Sequence, residues 1–234
     1  MTSPQIPPYG TPDAPLLVVR GEAELEVDPE IARIGVTVTA RNRDRRTTLD
    51  DLTHRNATVL DLVKSYGDAV ENLATGAVSI APELGQRGRG ERIRTYHGTV
   101  HLTAELTDFT ALGELTTRLA DLDLTRVDGP WWALRTDSPV YRRARQQAVR
   151  EAVQRAKEYA EALGTTVAAV LELADTGATG GGRPRSAFDR RAVRFSMAAA
   201  DAEAAAPEPL DLEPQRMQVR AEVSAQFTMN PPSL

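Results

Sequence analysis

The spacing of apolar and polar residues along the chain predicts seven strands and three helices. Period-two alternation marks strands at residues 17–27, 32–41, 73–84, 92–107, 125–135, 167–174 and 217–229. Apolar residues at helical spacing mark helices at 47–66, 108–122 and 138–163. From residue 31 onward the order is strand, helix, strand, strand, helix, strand. This order predicts a ferredoxin-like βαββαβ plait, in which a four-stranded antiparallel sheet carries both helices on one face.

The longest predicted helix, 138–163, is the clearest element in the sequence. Ser138 suits the N-cap, Pro139 suits the first turn, and Gly164 suits a left-handed residue after the last turn. Alanines recur at every fourth position: Ala144, Ala148, Ala152, Ala156 and Ala160. Because small side chains allow a close approach, this helix is expected to lie flat on a sheet.

Three strands have no place in the plait: the first, the sixth and the last. We assign them to a second antiparallel sheet covered by the long helix, so the predicted fold class is α+β with two lobes. The plait lobe is expected at about residues 31–136, and the second lobe at about 16–30 plus 137–230. At Asp28-Pro29, by contrast, the turn chemistry alone favours a hairpin between the first two strands.

Two segments show neither pattern. Residues 1–15 contain five prolines and are expected to form a disordered tail. Residues 176–212 contain a run of three glycines and then stretches rich in Arg, Ala and acidic residues. This segment is too long for an ordinary ordered loop, so we expect it to be flexible.

Composition narrows the functional classes. The chain has 234 residues and no cysteine, which excludes disulfides, thiolate metal sites and a cysteine nucleophile. Its net charge of -5 and aromatic content of 5% disfavour a nucleic-acid partner. The sequence has no apolar run of about 18 residues, so no membrane span is expected. No signal peptide is recognisable at the N-terminus, which leads us to expect a cytoplasmic location.

Residues with catalytic chemistry do not form a recognisable motif. His97 and His101 have the spacing of a helical zinc pair, but on a strand they would lie roughly 13 Å apart. Carboxylates are numerous, but the sequence does not pair two of them at one pocket. We therefore predict no catalytic residue, no metal ligand and no cofactor, and we expect a protein that is not an enzyme.

The loop at residues 85–90 is rich in glycine and arginine. A phosphate-binding glycine loop opens a helix, whereas this loop joins two strands, so an ordinary hairpin connection is the favoured interpretation. Its basic side chains would still attract an anion or an acidic partner. The candidate contacts here are Arg87, Arg89 and Arg92.

Trp131 and Trp132 form the sharpest aromatic signal. Adjacent strand residues point to opposite faces, so one ring belongs to a core and the other meets another layer, a ligand or a partner. A second candidate lies at residues 183–195, where arginines surround two phenylalanines. This segment is either a solvated linker or a short recognition segment for a protein partner, with contacts from Arg185, Arg190 and Arg191.

The order of these features resembles the SIMPL-domain family, a domain family of unknown function. The resemblance rests on the opening VRGEAELEVDPEIARIGVTV, the helix with Asn56, the Tyr96 strand running into TAELTDFTALGEL, and the helix QQAVREAVQRAKEYAEALG. It implies a two-lobed α+β domain over about residues 16–230 and often a ring-like oligomer. Bacterial members include exported proteins linked to oxidative stress, and the eukaryotic namesake associates with a kinase. The family offers no catalytic residues to carry over, and because no signal peptide is recognised, the envelope location of the exported members is not expected here.

Three functional hypotheses follow. The first is a non-enzymatic assembly or interaction protein that self-associates, through exposed strand edges or the small-residue helix, with a possible link to stress. The second is a module that binds a small molecule or an anion through one tryptophan and the arginine-rich hairpin loop. The third is a hydrolase or transferase.

Overall fold

The structure is a computed structural model that describes residues 9–84, 93–176 and 208–232. It is α+β, with helices and two antiparallel sheets, and this confirms the predicted fold class. In chain order the strands and α-helices are β1 (Leu16–Val27), β2 (Ile31–Asn42), α1 (Arg45–Lys64), β3 (Val70–Leu84), β4 (Ile93–Leu106), α2 (Phe109–Ala120), β5 (Thr125–Ala133), α3 (Pro139–Ala162), β6 (Val167–Asp175) and β7 (Met217–Met229).

The chain divides into two compact units. One unit contains β1, α3, β6 and β7, and the other contains β2 to β5, α1, α2 and the segment 208–215. The unit with β1 is discontinuous in sequence, because it combines the beginning and the end of the chain.

The four-stranded unit is the predicted ferredoxin-like plait. Its strand order is β3-β4-β2-β5, and all neighbours are antiparallel. One face of the sheet and the inner sides of both helices form a single core of these fully buried residues: Ile34, Val36, Val38, Leu52, Val59, Val63, Leu102, Ala104, Leu106, Leu112, Leu115 and Leu119. Each buried Val, Leu or Ile side chain contributes roughly 1.5–3 kcal/mol relative to an exposed position, so this core dominates the unit's stability.

The three-stranded unit has β7 at its centre, in the order β1-β7-β6. β1 and β7 pair without interruption from Leu16 opposite Thr228 to Val27 opposite Met217. The five alanines that recur at every fourth position of α3 are fully buried, and the helix lies mainly on β1 and β7. The prediction of a flat helix on a second sheet is therefore confirmed.

The hairpin favoured by the Asp28-Pro29 turn is wrong. β1 pairs with β7, whereas β2 pairs with β4 and β5, so the two strands belong to different sheets. The turn residues allow the chain to bend, but they do not select the partner strand. That choice depends on pairing with β7, which lies almost 200 residues away in the sequence.

α1 begins earlier than the sequence pattern indicates. Its N-cap is Asp44, whose side chain accepts a hydrogen bond from the Thr47 amide at 2.9 Å. The hydroxyl of Thr48 donates to the carbonyl of Asp44 at 2.8 Å. Thr47 and Thr48, where the predicted helix starts, therefore lie inside the helix and not at its N-cap.

The two segments predicted to be irregular are only partly described. In the tail 1–15, residues 1–8 lie outside the residues that the structure describes. Within the described part, the Gly10 amide donates to the Ala14 carbonyl at 2.8 Å in a tight turn. In the loop 176–212, residues 177–207 lie outside it, and the segment from 208 onward lies along α2. Across the described ranges, no helix is long and apolar enough to cross a membrane.

Candidate ligand and partner surfaces

The two tryptophans of β5 lie on opposite faces of the four-stranded sheet. Trp132 packs against the core and meets the Phe109 ring edge-on, with ring centroids 4.9 Å apart. Trp131 faces away from the helices, and 46% of it is exposed. Of the two candidate contacts, Trp131 is therefore the one that a ligand or partner can reach.

The ring of Trp131 covers the space left by glycines on the outer face. A Cβ atom built on Gly35 would lie 3.4 Å from Cζ3 of Trp131, and one built on Gly129 would lie 3.4 Å from its Cε3. Gly35 belongs to the central strand β2, so the indole leans from the edge strand toward the middle of the sheet. This arrangement holds the ring in place while leaving much of its surface open to solvent.

The arginines around Trp131 are already paired with carboxylates. Arg33 contacts Glu105 at 2.5 Å, and Arg126 contacts Asp128 at 2.6 Å. At the far end of the same face, Arg41 contacts Glu83. A hydrogen bond from the Thr95 hydroxyl, together with Arg41, holds the pKa of Glu83 below its ordinary value. Such charge pairs make the outer face polar but nearly neutral.

Both histidines of β4 lie exposed on this outer face, on the same strand. His101 Nδ1 lies 3.0 Å from the Thr37 hydroxyl, and His97 Nε2 lies 3.2 Å from the Thr99 hydroxyl. Within the described ranges, no group of three or more His, Asp or Glu side chains is placed to hold a metal ion. The face therefore offers hydrogen-bonding groups beside a flat aromatic ring.

β6 presents a second surface, which sequence analysis did not single out. It is one of the two end strands of the three-stranded sheet, and α3 leaves it largely uncovered. Val170 is 58% exposed, Leu171 38% and Leu173 51%. The sequence shows an apolar strand here, but the apolar pattern alone does not reveal that the helix covers β1 and β7 instead.

The alanine stripe of α3 is not available as an interaction surface. All five alanines are at most 1% exposed. A Cβ built on Gly21 of β1 would lie 2.0 Å from the Ala148 carbonyl oxygen, so the stripe is already in close contact with its own sheet. The buried stripe therefore cannot also serve as a contact between copies, and self-association through the rest of the helix stays a prediction.

A family model, described as SIMPL, a protein of unknown function (DUF541), matches residues 17–227. The chain belongs to the SIMPL family. The match begins in β1 and ends in β7, so it includes strands and helices of both units of the SIMPL domain. The resemblance seen in the sequence is thereby confirmed. No curated protein matches this chain.

The remaining candidate contacts of this SIMPL-family chain are not placed by the structure. Arg87, Arg89 and Arg92 of the hairpin loop lie outside the described residues, and so do Arg185, Arg190 and Arg191 of the 183–195 segment. Their roles stay predictions.

Two cavities of the SIMPL-family chain lie away from the predicted contacts. One, of about 570 Å³, surrounds the first turn of α3 and is lined by Tyr141, Arg142 and Arg145. The other, of about 300 Å³, includes His54 and Arg55 of α1. Arg55 donates to the Asp123 carbonyl at 3.1 Å, so part of this wall is already engaged.

Proposed function

We propose that this SIMPL-family chain is a non-enzymatic interaction protein that associates with itself through β6. The observation that supports the proposal is the exposed, apolar end strand. Natural proteins usually protect such strands with lysine, proline or a covering helix, because their free backbone groups can pair with another chain. The sequence of β6, VAAVLELAD, contains neither lysine nor proline.

A bulge in β6 places two apolar side chains on the same face of the sheet. Val170 lies opposite Phe227 and Leu173 lies opposite Ala225. The side chains of Val170 and Leu173 therefore lie on the same face of the sheet as the buried side chains of β7. The register shift between Val170 and Glu172 makes this three-residue spacing possible. An apolar strip therefore continues from the covered part of the sheet onto its uncovered end.

A second copy of the chain fits this strip. In a symmetric antiparallel pairing, Val170 would lie opposite Leu173 of the second copy, and Glu172 would lie opposite Leu171 of the second copy. Like charges do not meet in this register, and the four exposed apolar side chains cover one another. The two three-stranded sheets would then form one continuous sheet, which is a common mode of strand addition.

Light scattering coupled to gel filtration tests the proposal. We expect the unmodified chain to run as a discrete multimer and the Val170→Lys/Leu173→Lys variant to run as a smaller species. Val18→Lys is the matched control, because Val18 is 55% exposed on β1 but lies on the opposite face, beside Gln226. A monomeric unmodified chain would refute self-association, and an equal effect of Val18→Lys would refute the role of β6.

The second candidate function is binding of a small molecule at Trp131. The exposed ring favours it, and the paired arginines around the ring favour a neutral ligand with a flat apolar face over an anion. A titration of tryptophan fluorescence with neutral sugars, aromatic amines and inorganic phosphate tests this candidate. We expect a response to a neutral ligand that disappears in Trp131→Phe, and no response across the panel would count against it.

The stress-related role and the cytoplasmic location stay predictions. Survival of a deletion strain under peroxide would test the first, and fractionation of cells that produce the tagged chain would test the second.

A further inference from the structure

We propose that α2 carries a docking site for an extended leucine-containing peptide, and that residues 208–215 are its built-in, detachable ligand. The docking site consists of Gly113 and Thr117 of α2 and the part of the plait core that Leu212 contacts. The docking segment, residues 208–215, has the sequence EPLDLEPQ and follows residues 177–207. This proposal does not depend on self-association through β6.

The docking site recognises the backbone of the segment. The Leu210 amide donates to the Thr117 hydroxyl oxygen at 3.1 Å. The same hydroxyl donates to the Gly113 carbonyl at 3.0 Å, so the helix itself orients it as an acceptor. One threonine thus joins the helix to the peptide without requiring any particular peptide side chain.

Gly113 provides the space that the segment needs. A Cβ built on Gly113 would lie 2.1 Å from the Leu210 carbonyl oxygen, so any other residue would displace the segment. A glycine within a helix costs about 1 kcal/mol relative to alanine. The close approach of the segment gives this otherwise unfavourable residue a physical role.

Side chains of the segment add specificity. Leu212 packs against the core of the plait, while Leu210 is 53% exposed at its edge. Pro209 and Pro214 flank the two leucines and favour an extended backbone, which lowers the entropic cost of docking. The partner that fits this site is therefore an extended, proline-flanked peptide with leucines two residues apart.

The contacts that hold the segment are few enough to open locally. Among the residues described, Glu208, Asp211 and Glu213 of the segment form no ion pair. A tethered ligand experiences an effective concentration of about 1 mM, so a site with a Kd of about 100 μM would be closed roughly nine-tenths of the time. The remaining fraction would expose the docking site to a second peptide.

Hydrogen exchange on the unmodified full chain tests whether the segment detaches. We expect amides of residues 208–215 to exchange through a local opening, at least about a hundredfold faster than amides of β2, β4 and the middle of α2. Exchange of the segment at the same rate as the core would overturn the proposal, because the segment would then open only with the whole unit.

A labelled peptide with the sequence APEPLDLEPQ tests the docking site directly. Leu212→Asp in the full chain removes the side chain that packs against the core and should vacate the site, so the peptide should bind this variant more tightly than it binds the unmodified chain. Adding Gly113→Ala should weaken that binding at least tenfold, although alanine favours the helix. A peptide with both leucines replaced by aspartate is the matched control. No binding to folded Leu212→Asp, or binding that Gly113→Ala leaves unchanged, would overturn the assignment of the site.

Discussion

Gly21 of β1 lies directly beneath α3. A Cβ built on it would lie 2.0 Å from the Ala148 carbonyl oxygen and 2.6 Å from the Ala152 amide nitrogen. These are backbone atoms, so they cannot move aside as the end of a flexible side chain would. The close packing of helix on sheet therefore depends on one missing side chain in β1 together with the small residues of α3.

We expect Gly21→Ala to lower the free energy of unfolding by about 3 kcal/mol, because the added methyl group must push the helix away from the sheet. Gly76→Ala is the matched control. A Cβ on Gly76 would have its nearest neighbour, the His101 carbonyl oxygen, at an ordinary 3.5 Å. Urea unfolding of both variants measures the difference. Equal stabilities would show that α3 does not pack on β1 as closely as the structure indicates.

At the scale of single elements, α1 depends on a charged N-cap. Asp44 accepts hydrogen bonds from the amide of Thr47 at 2.9 Å and from its hydroxyl at 3.1 Å. These two bonds favour the carboxylate, so they hold the pKa of Asp44 below its ordinary value of 3.8. Because the folded state lowers this pKa, the contribution to stability is complete above the ordinary value and is lost as the pH falls through the lowered one.

Asp44→Asn and Asp44→Ala separate the charge from the cap. We expect the asparagine variant to keep a side-chain cap but to lose the part of the stability that changes with pH below about 4. The alanine variant should have a lower Tm than the asparagine variant at neutral pH. Thermal unfolding followed by circular dichroism at pH 3 and pH 7 measures both effects. Identical Tm values for all three chains would rule out a capping role for Asp44.

At the scale of the whole molecule, the sequence pattern was sufficient for the order and type of the elements. Strand alternation and the alanine stripe survive in the fold because each reflects burial of one face. The pattern did not reveal which strand β1 pairs with, because a turn at Asp28-Pro29 can either join β1 and β2 in one hairpin or lead from one sheet to the other. It also did not reveal that α3 leaves β6 exposed, because coverage depends on where a helix crosses a sheet.

Candidate sites were harder to predict than the fold for the same reason. Strand alternation correctly separated Trp131 from Trp132, but it could not show that a glycine in β2 seats the exposed ring. Likewise, the sequence of α2 contains Gly113 without any local sign that a segment about 100 residues later needs the space. Contacts between residues distant in sequence decide both sites.

The discontinuous three-stranded unit leads to a prediction about cooperativity. β7 is the central strand, so without it β1 and β6 have no common partner and α3 loses part of its support. We expect a chain ending at Gln215 to lose hydrogen-exchange protection in β1, β6 and α3. The plait should keep its protection, because its core is formed within residues 31–134, with Leu212 also retained.

A chain ending at Asn230 is the matched control for this truncation. It retains the hydrogen bonds between Asn230 and Thr166, with the Asn230 amide 3.0 Å from the Thr166 carbonyl oxygen. This control should therefore keep protection in both units. If the chain ending at Gln215 loses protection throughout, the plait depends on the other unit for its stability. Two strands without a common partner are not expected to hold α3 in place. If the chain ending at Gln215 nevertheless keeps protection in α3, the helix is held by contacts other than those with β7, and the prediction is wrong.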